Sequence, residues 1–211
     1  MALESPLPSI YPITDRQLSG LSHAEQVRRL VVGGAPFIQL REKHLGSREF
    51  YDDALESIRY AHENNARILI NDRVDLAIAA GADGVHLGQD DLPPVEARKL
   101  LGEKAIIGYS THDLDQVREA LDLPIDYIAF GPVFDTLTKA KADAVTGLAE
   151  LREARRVAGS FPLVAIGGID AARLHEVFAT RADSAAVISA VVASPDAISE
   201  RIAELLAIES A

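Results

Sequence analysis

Cysteine is absent from this chain of 211 residues, which removes disulfide stapling and sulfur redox chemistry together. A reducing cytoplasm is the expected compartment. Positive charge is scarce as well: 21 Lys and Arg against 32 Asp and Glu leave a formal net charge of −11. A nucleic-acid duplex is gripped largely through clustered Lys and Arg, so no nucleic-acid partner is expected. No stretch approaches the roughly 20 consecutive apolar residues of a membrane span, and no membrane partner is expected either. Met1–Pro8 has neither a basic start nor an apolar run, so it reads as an N-terminal extension and not as a secretory signal. His44, His62, His112 and His175 show no paired spacing of the zinc-binding kind. A nucleophile elbow, a Walker loop and a dinucleotide fingerprint are all missing.

What the chain does have is eight short apolar runs, nearly every one handing over to polar or glycine residues. Ile10–Ile13 runs into Thr14-Asp15, Phe37–Leu40 into Arg41-Glu42-Lys43, and Ile68–Ile70 into Asn71-Asp72. Val85–Leu87 runs into Gly88-Gln89-Asp90-Asp91, Ala105–Gly108 into Ser110-Thr111, and Tyr127–Phe130 into Gly131-Pro132. Leu163–Ile166 leads to Gly167-Gly168, and Ala185–Ile188 leads to Ser189.

Between the runs, apolar residues recur at helical spacing: Val27, Leu30 and Val31; Phe50, Ala54, Ile58 and Ala61; Leu174, Val177 and Phe178. Asp170 stands where a helix N-cap belongs, and Ser194-Pro195 supplies a cap and a first-turn proline before Ile198, Ile202, Leu205 and Leu206. Strands alternating with amphipathic helices imply a parallel sheet, and eight such units close most naturally into a single (β/α)8 TIM barrel. An open doubly wound sheet is the competing arrangement. Residues 1–211 leave no room for a second domain of ordinary size, and 48% hydrophobic residues suffice for a sizeable core.

In such a barrel the chemistry lies at the C-terminal ends of the strands, and four constellations stand there. Alternation along a strand sends Gln39, Arg41 and Lys43 one way and Leu40 and Glu42 the other, so two cations at the barrel mouth suit a diphosphate; a solvated charge cluster would look the same. Asp72, after Asn71, and Asp91 follow adjacent runs and could converge on Mg²⁺, which takes one or two carboxylates and completes its shell with water and phosphate oxygens. Asp90 competes with Asp91 for that role, and helix capping is the alternative use of both aspartates. Thr136-Leu137-Thr138-Lys139 offers hydroxyls and an ammonium to phosphate oxygens, ahead of an aperiodic stretch through Asp143 that could close over a substrate. Gly167-Gly168 and Ile188-Ser189 occupy the two loops with which barrels of this class frequently bind phosphate. His86 and Tyr11 sit inside apolar runs and read as satisfied core residues. The residues alone thus reach a metal-assisted enzyme acting on phosphorylated small molecules, with two anionic groups to hold.

The ordered set Tyr11–Asp15, Gln39–Lys43, Ile70-Asn71-Asp72, Gly84–Asp91, Ser110-Thr111, Gly131–Phe134, Thr136–Lys139, Ala165–Ile169 and Val187–Ser189 resembles the thiamine-phosphate synthase family over nearly the whole chain. The resemblance implies condensation of 4-amino-2-methyl-5-hydroxymethylpyrimidine diphosphate with 4-methyl-5-(2-phosphoethyl)thiazole, or its carboxylate, to thiamine phosphate and pyrophosphate. It implies that Gln39, Leu40, Arg41, Glu42, Lys43, Asn71, Ser110 and Lys139 contact the pyrimidine diphosphate, with Arg41, Lys43, Ser110 and Lys139 as the catalytic set. Thr136, Leu137, Thr138, Gly168, Ile188 and Ser189 would hold the thiazole phosphate, and Asp72 and Asp91 would hold Mg²⁺ as cofactor. The family mechanism is dissociative: diphosphate departs first and the thiazole nitrogen captures a pyrimidine methylene cation. Relatives often carry proline where this chain has Asp135 and Leu137. A sister group of thiazole tautomerases carries a catalytic histidine where this chain has Pro132, and the two aspartates favour the synthase. A sugar-phosphate isomerase or epimerase would need an acid–base pair that does not emerge, and a non-catalytic binding relative would have little use for a leaving-group site. Association into a homo-oligomer stays open.

Overall fold

The structure, a computed structural model, describes residues 7–136 and 144–209. In chain order the elements are β1 (Ile10–Thr14), α1 (Arg16–Ser19), α2 (His23–Val32), β2 (Phe37–Leu40), α3 (Ser47–Glu63), β3 (Arg67–Asn71), α4 (Val74–Ala80) and β4 (Gly84–Leu87). They continue as α5 (Pro94–Leu101), β5 (Ile106–Thr111), α6 (Leu114–Ala120), β6 (Tyr127–Phe130), α7 (Gly147–Ala158) and β7 (Leu163–Ile166). The last are α8 (Leu174–Phe178), β8 (Ser184–Val187), α9 (Ser189–Val192), a 3₁₀ turn at Pro195–Ala197 and α10 (Ile198–Glu209).

All eight apolar runs form strands, each pairing in parallel with the next. β1 also pairs with β8 through Ile10↔Ala185 and Pro12↔Val187, which closes the barrel and excludes the open sheet. Side chains alternate along the strands. Tyr11, Ile13, Phe37, Leu69, Ile106, Tyr127, Ala129, Val164 and Ala186 pack together as an inner core. Their neighbours, among them Ile10, Ile38, Leu40, Ile68, Ile70, Val85 and Leu87, pack in the outer layer with the helices. Phe50, Ala54, Ile58 and Ala61 form the buried stripe of α3, as their spacing predicts.

Two boundaries differ from the sequence reading. β5 continues through Ser110 and Thr111, because both pair with Ala129 and Phe130 of β6 despite their polarity. Asp170 does not cap α8: it accepts from the Arg173 amide and so closes a turn one step earlier, with Arg173 at the helix N-cap.

The N-terminal rim of the barrel is fastened by a repeated device. Asp83, Asp126 and Asp183 each stand immediately before an even-numbered strand. Each accepts from a backbone amide of the preceding strand: Ile68 at 2.7 Å, Ile107 at 2.8 Å and Leu163 at 2.7 Å. Each is also paired with a basic side chain, respectively His62, Arg98 and Arg155. Those contacts secure the face opposite the C-terminal strand ends that carry Arg41, Asp72, Asp91 and Gly168.

Candidate active site

The inward-facing residues nearest the C-terminal rim divide it into two halves. β2 to β5 contribute polar groups, Gln39, Asn71, His86 and Ser110, and three of these are buried. Ile166 and Ile188, from the β7–β8 side, pack instead against the inner apolar core. A rim of this kind offers directional hydrogen bonds on one side and a smooth wall on the other.

On the polar side, Arg41 is held by Asp15, its Nη1 lying 2.9 Å from Oδ2. Asp15 caps α1 through its other oxygen, accepting from Gln17 and Leu18, so the guanidinium is anchored to a fixed element. Glu42 turns away from the mouth. One carboxylate oxygen accepts from the amides of Lys43, His44 and Leu45, and the other lies 3.1 Å from His23 Nε2. Burial opposes ionisation of Glu42, but the His44 and Leu45 amides and the His23 ring outweigh it and hold its carboxyl below the ordinary range. Glu42 therefore shapes the loop that presents Lys43. Leu40 is fully buried in the outer core, which leaves only its backbone at the rim.

The two aspartates meet. Asp72 occupies the left-handed backbone region at φ 63°, where its amide donates to the His86 carbonyl at 2.8 Å. Its carboxylate pairs with Lys43 and reaches the Asp91 carboxyl. Asp91 Oδ2 accepts from the Gly88 amide at 2.7 Å, and this turn aims Asp91 inward while Asp90 stays exposed. Burial raises the Asp91 pKa, and the neighbouring Asp72 raises it further against the Gly88 bond. Neither aspartate caps a helix: α4 has Arg73 and α5 has Pro93 at the N-cap, both without a side-chain bond. Two neighbouring carboxyls, the Asp91 group raised by burial and by the charge of Asp72, fit a divalent cation. Among the described residues no cluster of three or more His, Cys, Asp or Glu could hold a metal. A site with two protein carboxylates, completed by water and phosphate oxygens, suits Mg²⁺ better than a fully protein-ligated ion.

On the smooth side, Gly167 and Gly168 have φ of 103° and 64°. A Cβ on Gly168 would lie 2.4 Å from the Asp135 carbonyl oxygen, so the loop after β6 packs directly on this backbone. Ile188 stands at the N-cap of α9 and Ser189 opens that helix, exposed at the rim. Thr136 is half-buried at the end of the described part of the loop after β6, whereas Leu137, Thr138, Lys139 and the stretch through Asp143 lie outside the described residues.

The sequence reading missed how deep the polar half runs. His86 contacts the Tyr127 hydroxyl through Nδ1 and Ser110 Oγ through Nε2, at 2.9 and 2.8 Å. Burial pulls its pKa down to about 4, so the ring is neutral near neutral pH. His23 also escaped notice, as did the role of Asp15, because their relation to Glu42 and Arg41 exists only once β1 and β2 are adjacent.

Known proteins resemble this chain in sequence and fold. A family model described as thiamine monophosphate synthase matches residues 10–191. The thiamine-phosphate synthase of Syntrophomonas wolfei is 48% identical over 189 residues, covering 89% of this chain and 90% of that protein. The enzyme of the same name from Chloroflexus aurantiacus is 44% identical over 188 residues, covering 89% and 86%. The solved thiamine phosphate pyrophosphorylase of Pyrococcus furiosus superposes with a TM-score of 0.86 at 37% identity, over 96% of this chain and 95% of that one. A profile spanning all eight strands, with relatives this close over nine-tenths of their length, places the chain in the thiamine monophosphate synthase family.

Proposed function

We propose that this chain joins 4-amino-2-methyl-5-hydroxymethylpyrimidine diphosphate to 4-methyl-5-(2-phosphoethyl)thiazole, or its carboxylate, releasing thiamine phosphate and pyrophosphate and, from the carboxylate alone, carbon dioxide as well. The observation that carries the reading is the Asp72–Asp91 pair beside Lys43: two carboxyls directed at each other, free of any capping duty, at the mouth of the barrel. The function of the close relatives supports it.

The bond between the pyrimidine methylene carbon and the diphosphate oxygen breaks with its electron pair passing to oxygen. The thiazole nitrogen then donates its lone pair to that carbon. No substrate proton has to be removed, so the demand falls on stabilising the charge of the departing diphosphate. Mg²⁺ held by Asp72 and Asp91 would supply divalent positive charge for that departure. Arg41, oriented by Asp15, and Lys43, oriented by Asp72, add fixed cations on the same side. Lys139 joins them by sequence likeness. Gln39, Asn71 and Ser110 bind the pyrimidine, together with the backbone of Leu40 and the loop that Glu42 braces. The glycine backbone at Gly168, with Ile188, Ser189 and residues 136–138, binds the thiazole phosphate, as the β7 and β8 loops do in barrels of this class. The whole chain, residues 1–211, serves as one barrel domain, and its lack of cysteine fits a reducing cytoplasm.

The test is to incubate the purified protein with both precursors and Mg²⁺. Thiamine phosphate and pyrophosphate in equal amounts are expected. Failure to form thiamine phosphate under these conditions would refute the reading.

A further inference from the structure

Inside the barrel, five polar side chains from five strands form one continuous hydrogen-bonded relay. Gln39 on β2 donates through Nε2 to the Tyr11 hydroxyl on β1. The Tyr11 and Tyr127 hydroxyls lie 3.0 Å apart across the interior. Tyr127 on β6 meets His86 Nδ1 at 2.9 Å, and His86 Nε2 on β4 meets Ser110 Oγ on β5 at 2.8 Å. Gln39, Tyr11, Tyr127 and His86 are all buried. The relay therefore begins and ends on residues that the proposed function assigns to the pyrimidine, and its three middle members are assigned to neither substrate.

Counting protons gives the relay a direction. Each hydroxyl carries one proton, and a neutral imidazole carries one N–H and one bare nitrogen. Gln39 fills an acceptor position on Tyr11, so the Tyr11 proton goes to Tyr127. The Tyr127 proton then goes to His86 Nδ1, and the imidazole proton resides on Nε2, pointing at Ser110. The reverse sense would leave the Tyr11 proton buried without an acceptor, a costly state for a hydroxyl. Of the buried side-chain polar atoms among the described residues, those without a partner are Arg155 Nε and Ser184 Oγ, and neither belongs to the relay.

We infer that Tyr11, Tyr127 and His86 are positioning residues: they fix His86 as the Nε2–H tautomer and so make Ser110 a hydrogen-bond donor toward the substrate. An oxygen that accepts from His86 turns its own proton outward, which selects an acceptor on the ligand, such as a ring nitrogen, over a donor such as an amino group. The inference rests on the proposed function for the identity of the ligand, but not for the tautomer.

Nitrogen-15 NMR of the histidine rings in the ligand-free protein at neutral pH reads the tautomer directly, with the His86 signals identified by their loss in His86→Gln. A bare Nδ1 and a protonated Nε2 are expected; a protonated Nδ1 would overturn the inference. Tyr127→Phe deletes one hydroxyl and should mix the tautomers. It should also raise KM for the pyrimidine diphosphate roughly threefold to tenfold, the loss of one hydrogen bond, while leaving KM for the thiazole phosphate unchanged. Unchanged KM for the pyrimidine would refute the positioning role. Tyr11→Phe, one link further away, gives the same readouts if Tyr127→Phe folds poorly. An Nε2–H tautomer in a protein that makes no thiamine phosphate would refute the synthase reading and leave the relay standing.

Discussion

Lys43, from the loop after β2, is ion-paired with Asp72 at the tip of β3, and Asp72 in turn reaches the Asp91 carboxyl. The ammonium thus occupies charge space that a divalent cation would share. Lys43→Ala should tighten binding of Mg²⁺ or Mn²⁺ to the substrate-free protein by roughly threefold to tenfold, because one repelling charge is removed. The same change should slow turnover about a hundredfold, since the departing diphosphate loses a cation. Titration calorimetry and steady-state kinetics check the two halves separately. A loss of both metal affinity and turnover would show Lys43 to be a scaffold for the aspartates and nothing more.

Two buried histidines make the fold sensitive to acid. Burial lowers the pKa of both His23 and His86, that of His86 to about 4 from an ordinary 6.5. Below pH 6.5 the unfolded chain therefore takes up protons that the folded chain refuses, and stability falls as pH drops toward 4. His86 alone should account for roughly 2 kcal/mol between about pH 7 and about pH 5. Urea unfolding of the parent and of His86→Gln at the two pH values measures it: the pH dependence should flatten in the variant.

Gly168→Ala places a methyl group 2.4 Å from the Asp135 carbonyl oxygen at a φ of 64°, so the loop after β6 has to move. The expected result is a tenfold or greater rise in KM for the thiazole phosphate, on the order of 1.4 kcal/mol, with KM for the pyrimidine diphosphate little changed. Equal KM for both substrates in variant and parent would detach this backbone from the thiazole subsite.

The opposite rim behaves differently. Asp126 lies 2.7 Å from Arg98 Nη2 and accepts from the Ile107 amide, with both side chains of the pair about 10% exposed. Asp126→Ala leaves a nearly buried guanidinium without its carboxylate partner, though still bonded to the Pro124, Gly102 and Ala105 carbonyls, and should cost on the order of 3 kcal/mol of stability. Chemical denaturation should register that loss, while KM for both substrates at a permissive temperature stays at the parent value.

The barrel was legible because strands buried on both faces appear as continuous apolar runs, and because each run ends in polar or glycine residues. The helices α3 and α10 were legible from their period, whereas the cap expected at Ser194-Pro195 is not one: Ser194 makes no side-chain bond and Pro195 opens a 3₁₀ turn ahead of α10. Where polar residues continue a strand, as Ser110 and Thr111 do, the apolar signal stops before the hydrogen bonding does. Choosing between Asp90 and Asp91 required the Gly88 turn, a backbone feature with no side-chain signature. Glu42 could not be read as a loop brace, because its partners are amides of the next three residues together with His23 on another element. Tyr11 and His86 were read as satisfied core residues, which they are; that their partners join them into one relay depends on barrel closure, a property of no single segment.

The most direct test of the metal-assisted departure of diphosphate compares Asp90→Asn and Asp91→Asn in single-turnover formation of thiamine phosphate and pyrophosphate, with Mg²⁺ and with excess chelator. The parent and Asp90→Asn should form both products at the same rate with Mg²⁺ and neither product in chelator. Asp91→Asn should be slowed about a hundredfold, on the order of 3 kcal/mol, with only partial rescue by more Mg²⁺, because an amide oxygen is a weaker ligand for a hard dication. Full activity of Asp91→Asn, or of the parent in chelator, would contradict the account.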